Sequence, residues 1–398
     1  DTYQQRAEQN RTVTTTNQGS RGLIFDRNGT LIAGNRLSWS IEITLDQTVE
    51  PINRLIDRLA EVIKITPADR RRFRRLREDL NRYDGIPIRT DLTDAEVAAF
   101  TAQRWRFPGV DINQREHRIY PEHALGSHII GYVSSLSLND KKRLDSEGVL
   151  ALYQGEREIG KVGLERSYEH ILHGTPGHET LEITADGRSV RTLELIPAHP
   201  GKNLRLSVDM NLQSVAENAM KGKTGAIIAI EPRTGEILSF VSLPTYDLNL
   251  FPGGIDPESW SYLNTAETKP LLNRAMRGIY PIGSTYKPFM ALAGLDDTGV
   301  FQVGNHRFRD VTGSPKGPLN LRKSIAVSSD IYYYWLSTQI GVDGIYNFMK
   351  QWKFGAKTGI DLVGEQTGIL PNREWKERRI KEPWYVGDTP SLGIGQGY

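Results

Sequence analysis

Cysteine is absent from the 398-residue chain, so it can hold neither disulfides nor a cysteine-based zinc site. No run approaches the about eighteen apolar residues that cross a bilayer, and no signal-peptide pattern opens the chain. The first residue is Asp1 rather than Met, which leaves room for a removed membrane anchor ahead of it. Net charge is only +2, which argues against bulk attraction to nucleic acid. With 38% hydrophobic and 25% charged residues the chain belongs with folded rather than disordered proteins. Its length suits roughly two or three domains, each with its own core.

The first 20 residues are polar and read as a lead-in. Arg21 to Ala33 holds two apolar runs around Asn28-Gly29, the strongest short hairpin signal, and Ser38 to Leu45 alternates like a half-buried strand. Helices are expected over Ile52 to Ile65 and Pro67 to Tyr83. In the second, Phe73 and Leu76 form the buried stripe and Arg70, Arg71, Arg72, Arg74, Arg75 and Arg77 a solvated face. Arg118 to Pro121 reads as a loop feeding a strand, His128 to Val133. A helix over Leu164 to Leu172 has glycines at both ends, and Glu165 in its first turn complements the helix dipole, a structural rather than catalytic role. Thr180 to Thr184 and Val190 to Ile196 flank an Asp186-Gly187 hairpin turn. Ala198-His199-Pro200-Gly201 breaks the pattern, placing a domain boundary near residue 200, with domains over 1–200 and 201–398.

The second domain opens with a strand, Asn203 to Val208, and a helix capped by Asp209 that runs to Met220. A hairpin follows, Gly225 to Ile230 as a buried strand and Glu236 to Val241 as its partner. A helix and then an apolar hairpin predict an antiparallel sheet with helices on its faces, an α+β layer fold. Further helices are expected over Pro288 to Leu295, Asn320 to Ala326 and Ile331 to Ile340, with irregular chain between the first two up to Leu319.

The densest chemistry lies in Asn273 to Pro288. Pro281-Ile282-Gly283 resists helix, and Phe289 to Ala293 favours it, so Ser284 sits at a helix start. Lys287, three residues on, returns to the same face. A serine hydroxyl becomes a useful nucleophile only beside a base and a place for the developing oxyanion. First-turn N–H groups supply part of the second. Lys287 supplies the first once burial or nearby positive charge eases the loss of its proton. Chance alone produces roughly one or two S-x-x-K in a chain this long, yet this is the only one, and it lies on a turn-to-helix junction.

S-x-x-K is also a signature of penicillin-binding proteins and class A β-lactamases. From Arg21 to Tyr398 the chain resembles the class B penicillin-binding proteins, in their Gram-negative elongation-specific group. The resemblance rests on Arg21-Gly22-Leu23-Ile24-Phe25-Asp26-Arg27-Asn28-Gly29, Gly160 to Glu165, Asn273-Arg274-Ala275 and Gly283-Ser284-Thr285-Tyr286-Lys287-Pro288. It continues in Ser328-Ser329-Asp330, Thr358 to Leu362 and Gly393 to Tyr398. It implies a DD-transpeptidase that cross-links peptidoglycan stem peptides and is acylated by β-lactams. Ser284 would be the nucleophile, Lys287 would move its proton, and Ser328 and Asp330 would complete the second motif. It further implies a β-rich non-catalytic pedestal ahead of the transpeptidase domain, a single inner-membrane span, a membrane glycosyltransferase partner and periplasmic domains. No cofactor or metal is called for.

Two departures stand out. Asp330 replaces the asparagine usual in the family's S-x-N motif, and an ionised carboxylate can only accept hydrogen bonds. It is therefore expected to face Lys287, where it favours the charged ammonium and opposes the base role until substrate weakens the contact. For the third motif, K-[ST]-G, Lys223-Thr224-Gly225 precedes the nucleophile and Lys357-Thr358-Gly359 lies in a loop by family pattern. Both are set aside, and the third motif is expected beyond residue 398. His306 and Asp310 are read as surface residues rather than metal ligands, and Tyr332 to Trp335 as core or pocket wall. Two other readings stay open: a carboxypeptidase or β-lactamase, and a non-catalytic β-lactam sensor or pedestal activator.

Overall fold

The structure, a computed structural model, describes residues 12–79, 85–153, 156, 158–183, 189–290 and 295–398. It is of mixed α+β type and packs as two compact units, Asp1–Ala275 and Met276–Tyr398. The expected Asp186-Gly187 turn lies outside the described residues, as do residues 80–83 of the expected arginine-rich helix.

In the first unit the strand Leu31–Thr44 is central. It pairs antiparallel with Ile24–Phe25, Gly85–Leu92 and Val110–Ile119, and Leu204–Arg205 adds in parallel beside Ile24–Phe25. The turn into this strand is held by Asp26, whose carboxylate accepts from the backbone N–H groups of Asn28 and Thr30, each at 2.8 Å. Ile41, Ile43, Ile86 and Ile88 face the helices Ile52–Leu59 and Pro67–Asp79, which bury Leu55, Leu59 and Phe73 against them. The arginine face is less free than its charge suggests. Arg70 pairs with Asp57 at 2.6 Å, Arg71 with Glu258 at 2.9 Å, and Arg72 with Asp69 at 3.1 Å, while Arg74, Arg75 and Arg77 are exposed.

Two local readings are corrected. The stretch expected as a strand over His128 to Val133 is a helical turn, Ser127–Ile130, followed by a short strand, Val133–Ser135. Gly131 forces the break: its φ is +74°, and a Cβ there would lie 1.9 Å from the Val162 carbonyl oxygen. The helix over Leu164 to Leu172 is two short ones, Gly163–Ser167 and Glu169–Leu172, split at Tyr168.

Glu165 is fully buried and accepts from Arg118 Nε and Arg21 Nε, both at 2.7 Å, and from the Tyr120 hydroxyl at 3.2 Å. Burial alone would push its carboxyl up, but Arg118 and Arg21 outweigh that and hold it below the ordinary glutamate value. Glu165 is thus the hub of an ion network that ties three distant segments together, not a dipole partner alone.

The hairpin Gly225–Ile230 and Ile237–Leu243 forms as expected, next to the helix Met210–Ala219 capped by Asp209. Its first strand is not buried, however, since Ile228 and Ile230 are 43% and 55% exposed. The second strand takes the buried positions, with Phe240 and Val241 enclosed.

The second unit is built around the helix Asp330–Gln351, which changes direction at Gly341 (φ +73°), one residue after the expected end at Ile340. Tyr286, Met290, Tyr332, Tyr333, Leu336, Ile345, Met349 and Leu392 make up its core, which places the tyrosine run in the core as expected. The chain expected to be irregular up to Leu319 holds two small antiparallel pairs, Leu295–Asp297 with Gly317–Leu319 and Val300–Val303 with His306–Arg309. The second pair turns at Gly304-Asn305, with Gly304 at φ +58°. No helix among the described residues is long and apolar enough to cross a membrane.

Candidate active site

Ser284 lies in a 3₁₀ turn, Gly283–Tyr286, that continues into the helical turn Lys287–Met290; residues 291–294 of the expected helix lie outside the described residues, and its expected last residue, Leu295, belongs to a strand instead. The turn is set from below by a backbone contact: the Gly283 N–H donates to the Gly395 carbonyl at 3.0 Å. Gly395 has φ +70°, and a Cβ on it would meet the Gly283 oxygen at 2.7 Å. The helix that leads to it, Asp388–Gly393, is anchored by buried Lys376, whose Nζ donates to Asp388 Oδ2 at 2.6 Å.

The hydroxyl of Ser284 is open to solvent, whereas Lys287 is only 2% exposed. The Lys287 ammonium donates to Asp330 Oδ1 at 2.6 Å, to the Ser328 carbonyl oxygen at 2.9 Å and to Ser328 Oγ at 3.1 Å. Its three protons are thus committed. Ser328 Oγ donates in turn to Ser284 Oγ at 3.0 Å. The Tyr333 ring centroid stands 5.4 Å from the ammonium, within cation–π range. All four sequence-selected residues, Ser284, Lys287, Ser328 and Asp330, therefore meet, and Asp330 engages Lys287 as expected. One relation differs from the expectation. Ser284 and Lys287 are joined through the Ser328 hydroxyl, with no direct hydrogen bond between them.

Ser328 is bent into this place. Its φ of +50° is uncommon for a residue with a side chain, a conformation that costs of order 1 to 3 kcal/mol and persists only where neighbours enforce it. This geometry aims its carbonyl and its hydroxyl at the same ammonium. Ser329 then caps the long helix, its Oγ accepting from the Tyr332 N–H at 3.2 Å and donating to Asp297 Oδ2 at 2.5 Å. The Asp330 N–H donates to Asp310 Oδ2 at 2.9 Å.

Asp310, read from sequence as a surface residue, is 5% exposed and paired with Lys316 at 2.8 Å; His306, on a strand four residues earlier, is exposed. No metal-binding cluster occurs among the described residues. Burial would push the Asp310 carboxyl up. Hydrogen bonds from Lys316, the Thr312 and Asp330 N–H groups and the Thr312 hydroxyl more than offset this and lower it from 3.8 to about 2. A lowered carboxyl stabilises the folded state fully above the unfolded value and loses that contribution as pH falls through the folded one. We expect about 2 kcal/mol from this group at neutral pH, disappearing between pH 3.8 and about 2. Denaturant titrations of wild type and Asp310→Asn should therefore converge as pH falls across that window; a gap that stays constant would contradict the assignment.

The second K-T-G match does not join the site. Lys357 is exposed in the segment after the long helix, with no hydrogen bond to Ser284, Lys287 or Ser328, and Thr358 is bonded to Glu365 at 2.7 Å. Lys223 is exposed in the turn before the Gly225–Ile230 strand. Asp297, Asp310, Lys316 and Gly395 were not singled out by sequence as supports, because each acts through a backbone or side chain far from it in the chain.

Comparison with known proteins accounts for this arrangement. Residues 16–206 match the penicillin-binding protein dimerisation domain, and residues 225–398 match the penicillin-binding protein transpeptidase domain. A solved complex of penicillin-binding protein 2 (PBP2) with MreC from Helicobacter pylori superposes with a TM-score of 0.82 at 30% identity, over 97% of this chain and 74% of that one. The chain belongs to the penicillin-binding protein family. PBP2 of Pseudomonas aeruginosa, solved with WCK 5153, is 31% identical with a TM-score of 0.70, over 97% of this chain and 67% of that one. The peptidoglycan D,D-transpeptidase MrdA of Escherichia coli K12 is 39% identical across all of this chain, which spans 64% of that relative's length. In this penicillin-binding protein an exposed serine, Ser284, is thus linked to a buried lysine, Lys287, through the Ser328 hydroxyl.

Proposed function

We propose that this chain carries the pedestal and the catalytic domain of a peptidoglycan DD-transpeptidase of cell-wall elongation, with the change between the two near residue 200. The observation that carries the reading is the path from solvent-exposed Ser284 Oγ through Ser328 Oγ to buried Lys287 Nζ. Ser284 Oγ attacks the carbonyl of the penultimate D-alanine of a donor stem peptide. Once Lys287 has given one proton to solvent, the Ser328 hydroxyl turns from Ser284 to the neutral amine and donates its proton there, while Ser284 Oγ passes its own proton to Ser328 Oγ. The tetrahedral adduct then collapses, the bond to the terminal D-alanine breaks, and that amine leaves with the proton. The acyl-enzyme persists until an amine on a neighbouring stem attacks it and frees Ser284. A β-lactam acylates the same oxygen, its opened ring retaining the leaving amine.

Asp330 Oδ1 takes one of the ammonium protons at 2.6 Å, so binding of substrate has to loosen that contact before Lys287 can serve as a proton acceptor. The pedestal serves binding, and its partner in this reading is a membrane glycosyltransferase. An inner-membrane span ahead of residue 1 places both domains in the periplasm. The full-length protein should release D-alanine from a stem-peptide donor and form cross-linked dimers with an acceptor amine, and its penicilloyl adduct should outlast the assay. Rapid release of hydrolysed penicillin without cross-links would identify a β-lactamase instead.

A further inference from the structure

The strained Ser328 is gripped on both sides by one half-buried ion pair that touches neither Ser284 nor Lys287. Lys316 Nζ donates to the Val327 carbonyl at 3.1 Å, just before Ser328, and to Asp310 Oδ2 at 2.8 Å. Asp310 Oδ2 accepts the Asp330 N–H at 2.9 Å, just after the Ser328-Ser329 pair. The segment is thus pinned at its first carbonyl and its last amide by two charges joined to each other. Asp310 is itself fixed by the Thr312 N–H and hydroxyl, at 3.1 and 3.0 Å. A second carboxylate, Asp297, which is 1% exposed, receives the Ser329 hydroxyl and the Gly299 N–H.

Simple helix capping does not explain this investment, because Ser329 already caps the helix through Tyr332. What the ion pair adds is the position of the residue between the two pins. A non-glycine residue at φ +50° relaxes to an ordinary conformation unless its surroundings over-determine it. Relaxation would swing the Ser328 carbonyl and hydroxyl away from the ammonium and break the path from Ser284 to Lys287.

We propose that Asp310 and Lys316 are positioning residues, a half-buried clamp that holds Ser328 in its left-handed conformation and so keeps its hydroxyl between Ser284 and Lys287. The proposal deepens the transpeptidase reading and rests on it for its consequence in acylation, but the conformational part stands without it.

Both parts are tested in full-length wild type, Asp310→Asn, Lys316→Met and Lys316→Arg. Stopped-flow acylation over a series of penicillin concentrations separates the binding constant from the acylation rate constant. The rate constant should fall about 10- to 100-fold in Asp310→Asn and Lys316→Met, because a misplacement of about 1 Å costs that much, with the binding constant nearly unchanged. Lys316→Arg, which keeps two donors, should recover most of the rate. A purely structural role would lower the folded fraction but leave the rate constant of the folded molecules as in wild type, and that result overturns the proposal. Should Asp310→Asn fail to fold, Lys316→Met decides, since the side chain of Lys316 is 16% exposed and methionine keeps its apolar stem. Amide exchange is read in parallel by NMR, independently of penicillin. The Asp330 amide should lose protection in Lys316→Met, and unchanged protection also overturns the clamp. If wild type does not react with penicillin at all, the transpeptidase reading falls, while the exchange result still judges the clamp.

Discussion

Lys287→Met is expected to lower the rate of penicillin acylation about 10²- to 10⁴-fold, the range that general acid–base groups supply. Methionine approximates the length of the lysine stem but can neither take nor give a proton. The effect combines two losses, because the variant also leaves Asp330, 6% exposed, without its cation. Breaking a buried pair by removing one partner costs about 3 to 5 kcal/mol, whereas replacing both charges can be nearly neutral. The double variant Lys287→Met with Asp330→Asn separates these contributions. It should regain most of the stability lost in the single variant and almost none of the rate. Denaturant unfolding and the acylation rate constant, measured on the same preparations, check both halves. A double variant that acylates at nearly the wild-type rate would show that Lys287 holds charge rather than moves protons.

Glu165→Ala should destabilise the first unit by about 3 to 5 kcal/mol, as expected when two buried or half-buried cations lose their shared carboxylate. Arg118 keeps the Gly22 carbonyl and Asn35 Oδ1, and Arg21 keeps Glu169, so neither is stripped of every acceptor. The charge balance is nevertheless lost in a site from which water is excluded. Unfolding of the full-length protein should show the loss directly. Molecules that remain folded should still be acylated by penicillin, since the structural reading gives Glu165 no part in the chemistry. Stability within about 1 kcal/mol of wild type would mean that the network is optional.

The fold class and the meeting of the four selected side chains were both legible, by different routes. S-x-x-K spacing returns Lys287 to the face of Ser284, whereas Ser328 and Asp330 entered through the resemblance to the family's second motif. The pairing of Asp330 with Lys287 followed from elementary donor and acceptor counting. The bridging role of Ser328 was not legible, because it depends on a backbone angle that no propensity favours for serine. Its supports were hidden for the same reason. Asp310 looks like a surface aspartate until the Asp330 N–H, twenty residues on, is placed against it. Local structure failed where tertiary contact overrode pattern: Gly131 is compelled into a turn by the Val162 backbone inside an apolar run that reads as strand. The small hairpin at Gly304-Asn305, by contrast, carries a Gly-Asn pair of the kind that closes two-residue hairpins, a local signal inside a stretch expected to be irregular.

The central claim is that Ser284 Oγ is the atom that becomes acylated. Intact-mass spectrometry of the full-length protein after incubation with penicillin, followed by peptide mapping, tests it most directly. The account predicts one penicilloyl adduct per chain, located on Ser284, and none on Ser284→Ala at the same concentration and time. An adduct on any other residue, or an alanine variant that labels as fully as wild type, would contradict it.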